Sequence, residues 1–535
     1  MASEALIVPP DPERIVEGLR DTGYEFHTAI ADLIDNSIAA GAHLVDVLVE
    51  MDLGGTIRVA IADDGCGMNR TGLINAMKYG SQRRTDSSSL GKFGLGLKTA
   101  STAFCRHLSV SSRPDRASAV MCATWDLDHI AEKGDWELLL SEAEAEALEH
   151  LDRVSPVNSG TVVTWQKTDR LLARQYDKPG GKAAQTALQR KVKQLYDHLS
   201  LVYQRYLDAT DERARTLRLV LNGEQVAAWD PFAAGESEVV ASEIVPAEMP
   251  DGSPAEFTVR AFVLPRKEEF SDPGRAALAR ISNDAQGLYI YRENRLIHGP
   301  DWLGMFQKEP HFSLIRVEFS FDHRLDAAFH MDIKKSQILL DEELWLFLKD
   351  DFLPSARRAA EQRYRNGQRR QIAKTAKGAH DASNVSIGQR AADLDSSRIT
   401  VVDSSTDEVL VTNAQGNSTL RLKILRANRP GEVYVQPVSS IDDGVLWEPA
   451  LIDGKKGVRI NTGHPYYEKV YVPNLSSGVT VQGMDSLLWA LCVAELGTVS
   501  PATQQHFGDL RYEVGRILRR LVDSLPEPAL PDDAD

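Results

Sequence analysis

The sequence predicts an α+β protein of several packed domains, and three observations lead there. At 535 residues and 42% hydrophobic, the chain is too long for one core and too apolar for disorder, so two to four domains are expected. β-Branched runs such as "HLVDVLVEM" and "TIRVAIA" read as strands, and stretches with apolar residues three or four apart read as helices between them. Gly-rich turn signals, "DLGG" and "KPGG" among them, separate the two kinds of element.

The elements follow in order. In "AIADLIDNSIAAGA", residues 29–42, helical spacing runs from Phe26 through Ile30 and Leu33 to Ser37 and Ile38, and Gly41 stops it. Two strands joined by "DLGG" predict a hairpin whose second strand ends in "DDGCGM". A helix, "RTGLINAMKYG", leads to "SQRRTDSSSLGKFGLGLKTAS", a loop feeding a helix N-terminus. Strands "HLSVSSR", "SAVMCATWDL" and "GTVVTWQKT", the last two flanking an acidic helical insert, complete an α+β sandwich expected over residues 1–175. A long helix reaching Leu207 opens a second domain over 183–378, with four strand-like segments and a helix that turns basic. Residues 379–397 are polar and weakly patterned and predict a linker. Beyond it, 398–524 predict a C-terminal α+β domain ending in two helices, and 525–535 a disordered tail.

A formal charge of −16 excludes a surface that is basic everywhere, so an anionic partner has to be held by local patches. Cys66, Cys105, Cys122 and Cys492 lie far apart with no C-x-x-C pair, which predicts neither a zinc module nor a disulfide framework and fits a reducing cytoplasm. Neither export nor membrane insertion is expected, since "MASEALIVPP" lacks a basic flank and a long apolar core and Glu495 interrupts the longest apolar run, "LLWALCVAEL".

The polar residues of the first domain carry the chemistry. Asp32 and Asn36 are four apart on one helix and share a face, opposite most of the apolar stripe. A carboxylate there can deprotonate a water, and an Asn oxygen suits magnesium, which completes its shell with waters and phosphates. At the strand end, Asp63 can accept a hydrogen bond from an exocyclic amine, while Gly65 and Gly67 let a flat ligand approach the backbone. "GKFGLGLK" places Gly91, Gly94 and Gly96 just before a helix, where N–H groups can surround phosphates with Lys98 as counter-charge.

In this order and spacing the residues resemble the GHKL ATPases: gyrase B, the heat-shock chaperones of that class, histidine kinases, MutL and MORC proteins. The family's acid four residues before an Asn, its D-x-G-x-G, its Gly-rich lid end and its later Gly-Thr correspond to Asp32 and Asn36, Asp63-x-Gly65-x-Gly67, Gly91-x-x-Gly94-x-Gly96 and Gly160-Thr161. The resemblance implies a Bergerat-type ATP-binding sandwich with ATP and Mg²⁺ as ligands. It implies Asp32 as the base, Asn36 as the metal ligand, and Asp63, Gly65, Gly67, Gly91, Gly94, Gly96, Leu97, Lys98 and Thr161 as nucleotide-binding residues. It extends over roughly residues 10–375, where "GLYIYRENRLI" looks like a strand of the MutL/MORC/gyrase transducer domain and "MDIKKSQI" like its loop, with Lys335, or second Lys334, reaching the γ-phosphate. The C-terminal part matches neither the MutL endonuclease half nor the zinc finger of animal MORC proteins, so a prokaryotic MORC-like protein is the closer description.

Relatives of the MutL and MORC type carry Glu where this chain has Asp32. The shorter side chain withdraws the carboxylate by about one bond length, and a displacement near 1 Å costs on the order of a hundredfold in rate. Slow hydrolysis is therefore expected, with Asp35 as the rival base. The family likeness implies an ATP-dependent homodimer acting in DNA repair, restriction or defence against foreign DNA. The alternatives are a chaperone-like or scaffolding clamp on protein clients and a nucleotide-sensing module with negligible turnover. The basic run Arg357–Lys377 is a candidate DNA-backbone contact or simply a solvated helix, and partner nuclease or helicase subunits fit the first reading.

Overall fold

The structure, a computed structural model, describes residues 11–525 apart from 22, 80–89, 91–95, 157, 173–175, 249–253, 327–341, 377, 405 and 476. Gly91, Gly94, Lys334, Lys335 and the tail 526–535 thus lie outside the described residues. The chain divides into two compact units, 1–361 and 362–535.

The first unit begins with helices α1 (Pro12–Arg20) and α2 (Phe26–Ala39), strands β1 (Leu44–Met51) and β2 (Ile57–Asp63), and helices α3 (Arg70–Met77) and α4 (Gly96–Thr102). Strands β3 (Cys105–Arg113) and β4 (Met121–Asp126), helix α5 (Leu127–Lys133), strand β5 (Leu139–Glu142), helix α6 (Ala145–Val154) and strand β6 (Gly160–Thr168) follow. Helices α7 (Lys182–Val202) and α8 (Gln204–Leu207) then lead to strands β7 (Arg218–Leu221) and β8 (Glu224–Gln225). Among the described residues these strands form one sheet in the order β5-β4-β3-β6-β2-β1-β7-β8. The expected hairpin is present: β1 and β2 run antiparallel from Val45↔Asp63 to Met51↔Ile57.

Two-residue alternation sorts the side chains to two faces. Val59 and Ile61 of β2 and Val163 and Trp165 of β6 join the main core, with Phe26, Ile30, Leu33 and Ile34 of α2. Ala62 and Val162 face the other way, against Ala147, Leu151 and Val154 of α6. Helix α2 is therefore buried almost all round, so its polar residues are held in place by packing.

One boundary falls elsewhere than expected. "TLRLVLNGEQV", read as part of the second domain, supplies β7 and β8 to the first sheet, with β7 parallel to β1. The parallel pairing needs a crossover, which α7 and α8 provide, and it covers what is otherwise an open edge of β1.

A second sheet contains β9 (Glu238–Glu248), β10 (Pro254–Val263), β11 (Gly287–Arg292), β12 (Arg295–Asp301) and β13 (Ile315–Phe321), in the order β12-β11-β13-β10-β9. "GLYIYRENRLI", read as one strand, is a hairpin: Glu293 and Asn294 turn with φ of 49° and 66° between Arg292 and Arg295. Helix α7 packs on α2 and β1 and also touches β12, so the two sheets share one connector.

Among the described residues the second unit holds a three-stranded and a four-stranded sheet, followed by helices Gly478–Leu496 and Pro501–Leu521. The former is long and apolar enough to cross a membrane by composition, yet it buries Val481, Leu488, Trp489 and Cys492 in the core of its unit. Residues 379–397, read as a linker, hold helices Asp381–Gly388 and Ala391–Leu394. Their polarity is used internally: the Asn384 amide accepts from the Tyr434 and Val435 nitrogens (2.8 and 3.0 Å) and donates to the Val435 carbonyl (2.9 Å).

Candidate functional site

Helix α2 delivers two of the expected residues. Asp32 is buried, and its Oδ2 accepts from the Tyr24 hydroxyl at 3.2 Å. The Asn36 amide nitrogen donates to the Asp32 carbonyl oxygen at 3.0 Å, which sets the side chain with its oxygen as the other end. At the start of α4, a Cβ on Gly96 would stand 3.5 Å from Asp32 Oδ2, so the end of the Gly-rich segment lies directly over this carboxylate. The half-buried Asn36 oxygen is a hard donor of the kind magnesium takes, and it fits an ion whose remaining ligands are phosphate oxygens and water. Among the described residues no group of three His, Cys, Asp or Glu forms a self-contained metal cage.

Asp63 ends strand β2. Its Oδ2 accepts from the Ser37 hydroxyl (2.8 Å) and its Oδ1 from the Gly65 nitrogen (3.0 Å). Burial pushes the Asp63 carboxyl up to about 6, against those two bonds, which favour its charge. Thr161 sits opposite Asp63 in the β2–β6 register, its hydroxyl 2.9 Å from that of Ser112. Ser112 in turn accepts from the Met68 nitrogen at 2.8 Å, which anchors the chain just after D-x-G-x-G. The neighbouring acid, Asp64, caps backbone instead, accepting from the nitrogens of His43 (2.7 Å) and Leu44 (2.8 Å).

The glycines of this strand end are required by the protein itself. A Cβ at Gly67, which has φ +61°, would lie 1.9 Å from the Arg113 carbonyl oxygen, and one at Gly65 would lie 2.8 Å from the Ala40 Cβ. Close approach of a flat ligand is thus not what fixes them. Leu97 is half-buried beside the main core. Lys98 is 1% exposed and donates to the Ala76 carbonyl at 2.9 Å, tying α4 to the end of α3; burial lowers its pKa to about 8.

Asp35, the rival base, is committed elsewhere. It is fully buried, and its Oδ1 lies 2.9 Å from Arg295 Nε of β12 and 2.8 Å from the Tyr203 hydroxyl. Tyr24, Ser37 and Ser112 belong to the site without having been singled out in the sequence. Ser37 sat within the apolar stripe of α2, and only the position of β2 reveals that it serves Asp63.

Helix α2 with its acid and amide, the end of β2 with its buried carboxylate and the helix that starts at Gly96 are parts of one α/β sandwich. Residues 24–161 match the family of histidine kinase-, DNA gyrase B- and HSP90-like ATPases, and the first domain is of this GHKL type. The chain is 36% identical to ATPase MORC2B of Mus musculus over 77 residues, which is 14% of this chain and 8% of that protein. It is also 36% identical to the DNA mismatch repair protein MutL of Halobacterium salinarum over 97 residues, 17% of this chain and 14% of that one. The crystal structure of the N-terminal domain of a DNA repair protein aligns with 67% of this chain and 99% of its own at 15% identity and a TM-score of 0.37, too loose to support any inference.

Proposed function

We propose that the first domain binds ATP with magnesium and hydrolyses it slowly. The observation that supports this is the approach of the Gly96 backbone to the Asp32 carboxylate, with Asn36 bonded to the Asp32 carbonyl one turn on, and Asp63 paired with Thr161 on neighbouring strands. In this reading Asp63 accepts the adenine amine, Asn36 holds magnesium against the phosphates, and Asp32 orients and deprotonates water. Bound metal supplies charge neutralisation at the phosphates. Lys335, or else Lys334, contacts the γ-phosphate, and Gly91, Gly94, Leu97 and Lys98 complete the phosphate side.

The same reading makes the chain an ATP-dependent homodimer in the cytoplasm, acting on DNA in repair, restriction or defence. It rests on the likeness to MutL and MORC proteins and on the basic helix Leu353–Ala376. The first cation of that helix has a structural job, since the Arg357 guanidinium lies 3.6 Å from the Phe312 ring centre and 3.9 Å from that of Phe306. The remaining cations are the ones assigned to DNA.

Equilibrium binding of a β,γ-imido ATP analogue tests the nucleotide reading. The native chain should bind in a magnesium-dependent way, Asn36→Ala should lose that dependence, and Asp63→Asn should weaken binding about tenfold or more, the loss of one charged acceptor. Equal binding by all three would sink the assignment.

A further inference from the structure

Asp35 stands between Asp32 and Asn36 in the sequence, yet it faces the second sheet. Three elements converge on it: α2 itself, Tyr203 just after α7, and Arg295 on β12. Asp35 is 0% and Arg295 4% exposed, and the Tyr203 hydroxyl also lies 2.7 Å from the Ala31 carbonyl of α2. Separating such a pair leaves a buried charge uncompensated, so α2 and β12 are constrained to shift together.

The turn bearing Arg295 is itself held in a sparsely populated conformation. Glu293 has φ +49°, and its carbonyl accepts from the Tyr206 hydroxyl (2.7 Å) while its carboxylate accepts from the His323 nitrogen (3.0 Å). Asn294 is gripped on both ends, by Arg205 Nη1 at 3.0 Å and by the Arg213 carbonyl at 2.7 Å. On the other arm, Arg292 makes a two-pronged bond to Asp326 (2.6 and 2.8 Å). A strained turn held from so many sides is a rigid lever.

We propose that Asp35 and Arg295 are positioning residues that lock α2 to the β11–β12 hairpin, so that nucleotide occupancy at Asp32 and Asn36 is transmitted to the second sheet. This rests on the reading of α2 as the nucleotide helix. The pair touches no substrate; it fixes where the helix stands relative to β12, and ligand binding that moves α2 moves the hairpin.

The test is hydrogen exchange on the full chain, with and without the β,γ-imido ATP analogue and magnesium, in the native protein, Asp35→Asn, Arg295→Met and Arg295→Lys. Native protein should bind the analogue and slow exchange about fivefold or more in residues 203–207 and 288–298. Asp35→Asn, which keeps an acceptor of the same shape, and Arg295→Met should bind with affinity within about threefold of native yet change those amides less than about twofold. Arg295→Lys, which keeps the charge, should retain part of the response, as a merely space-filling role would not require. Transmission undiminished in Asp35→Asn overturns the proposal, as does analogue binding that leaves 288–298 unchanged in the native chain. Failure of the native chain to bind the analogue at all instead removes the nucleotide reading, and this proposal with it.

Discussion

At Asp63, the side chain most exposed to a direct physical check, burial and hydrogen bonding pull against each other. Burial wins, raising the carboxyl from 3.8 to about 6. The folded state therefore holds this proton more tightly than the unfolded chain, so the group favours folding below about pH 4 and that contribution is lost as pH rises to about 6. Two units correspond to about 3 kcal/mol. Because the unfolded carboxyl is already more than half ionised at pH 4, denaturant unfolding at pH 4 and pH 7 should show native protein losing about 2.5 kcal/mol more than Asp63→Asn over that range, and identical pH slopes would contradict the burial argument. The residue was visible in the sequence because an acid before Gly-x-Gly at a strand end is a distinctive pattern. Its partner Ser37 was not, because a serine in an apolar helical stripe looks like a tolerated core residue until β2 is placed beneath it.

Among the elements, the β11–β12 hairpin carries the clearest energetic expectation. Removing Arg295 leaves Asp35 buried without its cation, which costs about 3–5 kcal/mol. Unfolding of Arg295→Met should show that loss, and the double variant Asp35→Asn with Arg295→Met should lose less than the sum of the two single changes, whereas strict additivity would mean the two residues do not interact. The hairpin itself was hidden in the sequence because its turn is Glu-Asn, without the glycine that marks positive-φ positions. The β1–β2 hairpin, with Gly54 and Gly55, was plain. Strands β7 and β8 were legible as strands but not as members of the first sheet, because local pattern does not encode which edge a strand will cover. The polar 379–397 stretch misled for a related reason: Asn384, Ser383 and His380 are buried hydrogen-bonding groups, and polarity alone does not distinguish those from solvent-facing ones.

At the scale of the whole chain, the division into two compact units, with the proposed nucleotide site in the first, predicts a separable thermal response. Calorimetry should resolve two transitions, and the ATP analogue at a hundred times its Kd should stabilise one of them by about 2.7 kcal/mol while leaving the other unmoved. A single transition displaced as a unit would show that the units unfold as one cooperative body. The division also explains what the sequence could deliver. The family likeness of the first domain was legible in a short, ordered set of acids, amide and glycines, whereas residues 398–524 carry no such pattern, and many of their apolar side chains serve their own core.

Turnover at Asp32 is the point on which the account depends most directly. The measurement is phosphate release from ATP with magnesium by the native chain and by Asp32→Asn, with analogue binding checked on the same samples. The account predicts slow release in the native chain and release lower by about a hundredfold or more in Asp32→Asn, as loss of a general base entails, while binding survives. Equal release from both proteins would contradict it, and binding with no release from the native chain would make this a nucleotide-sensing module rather than an ATPase.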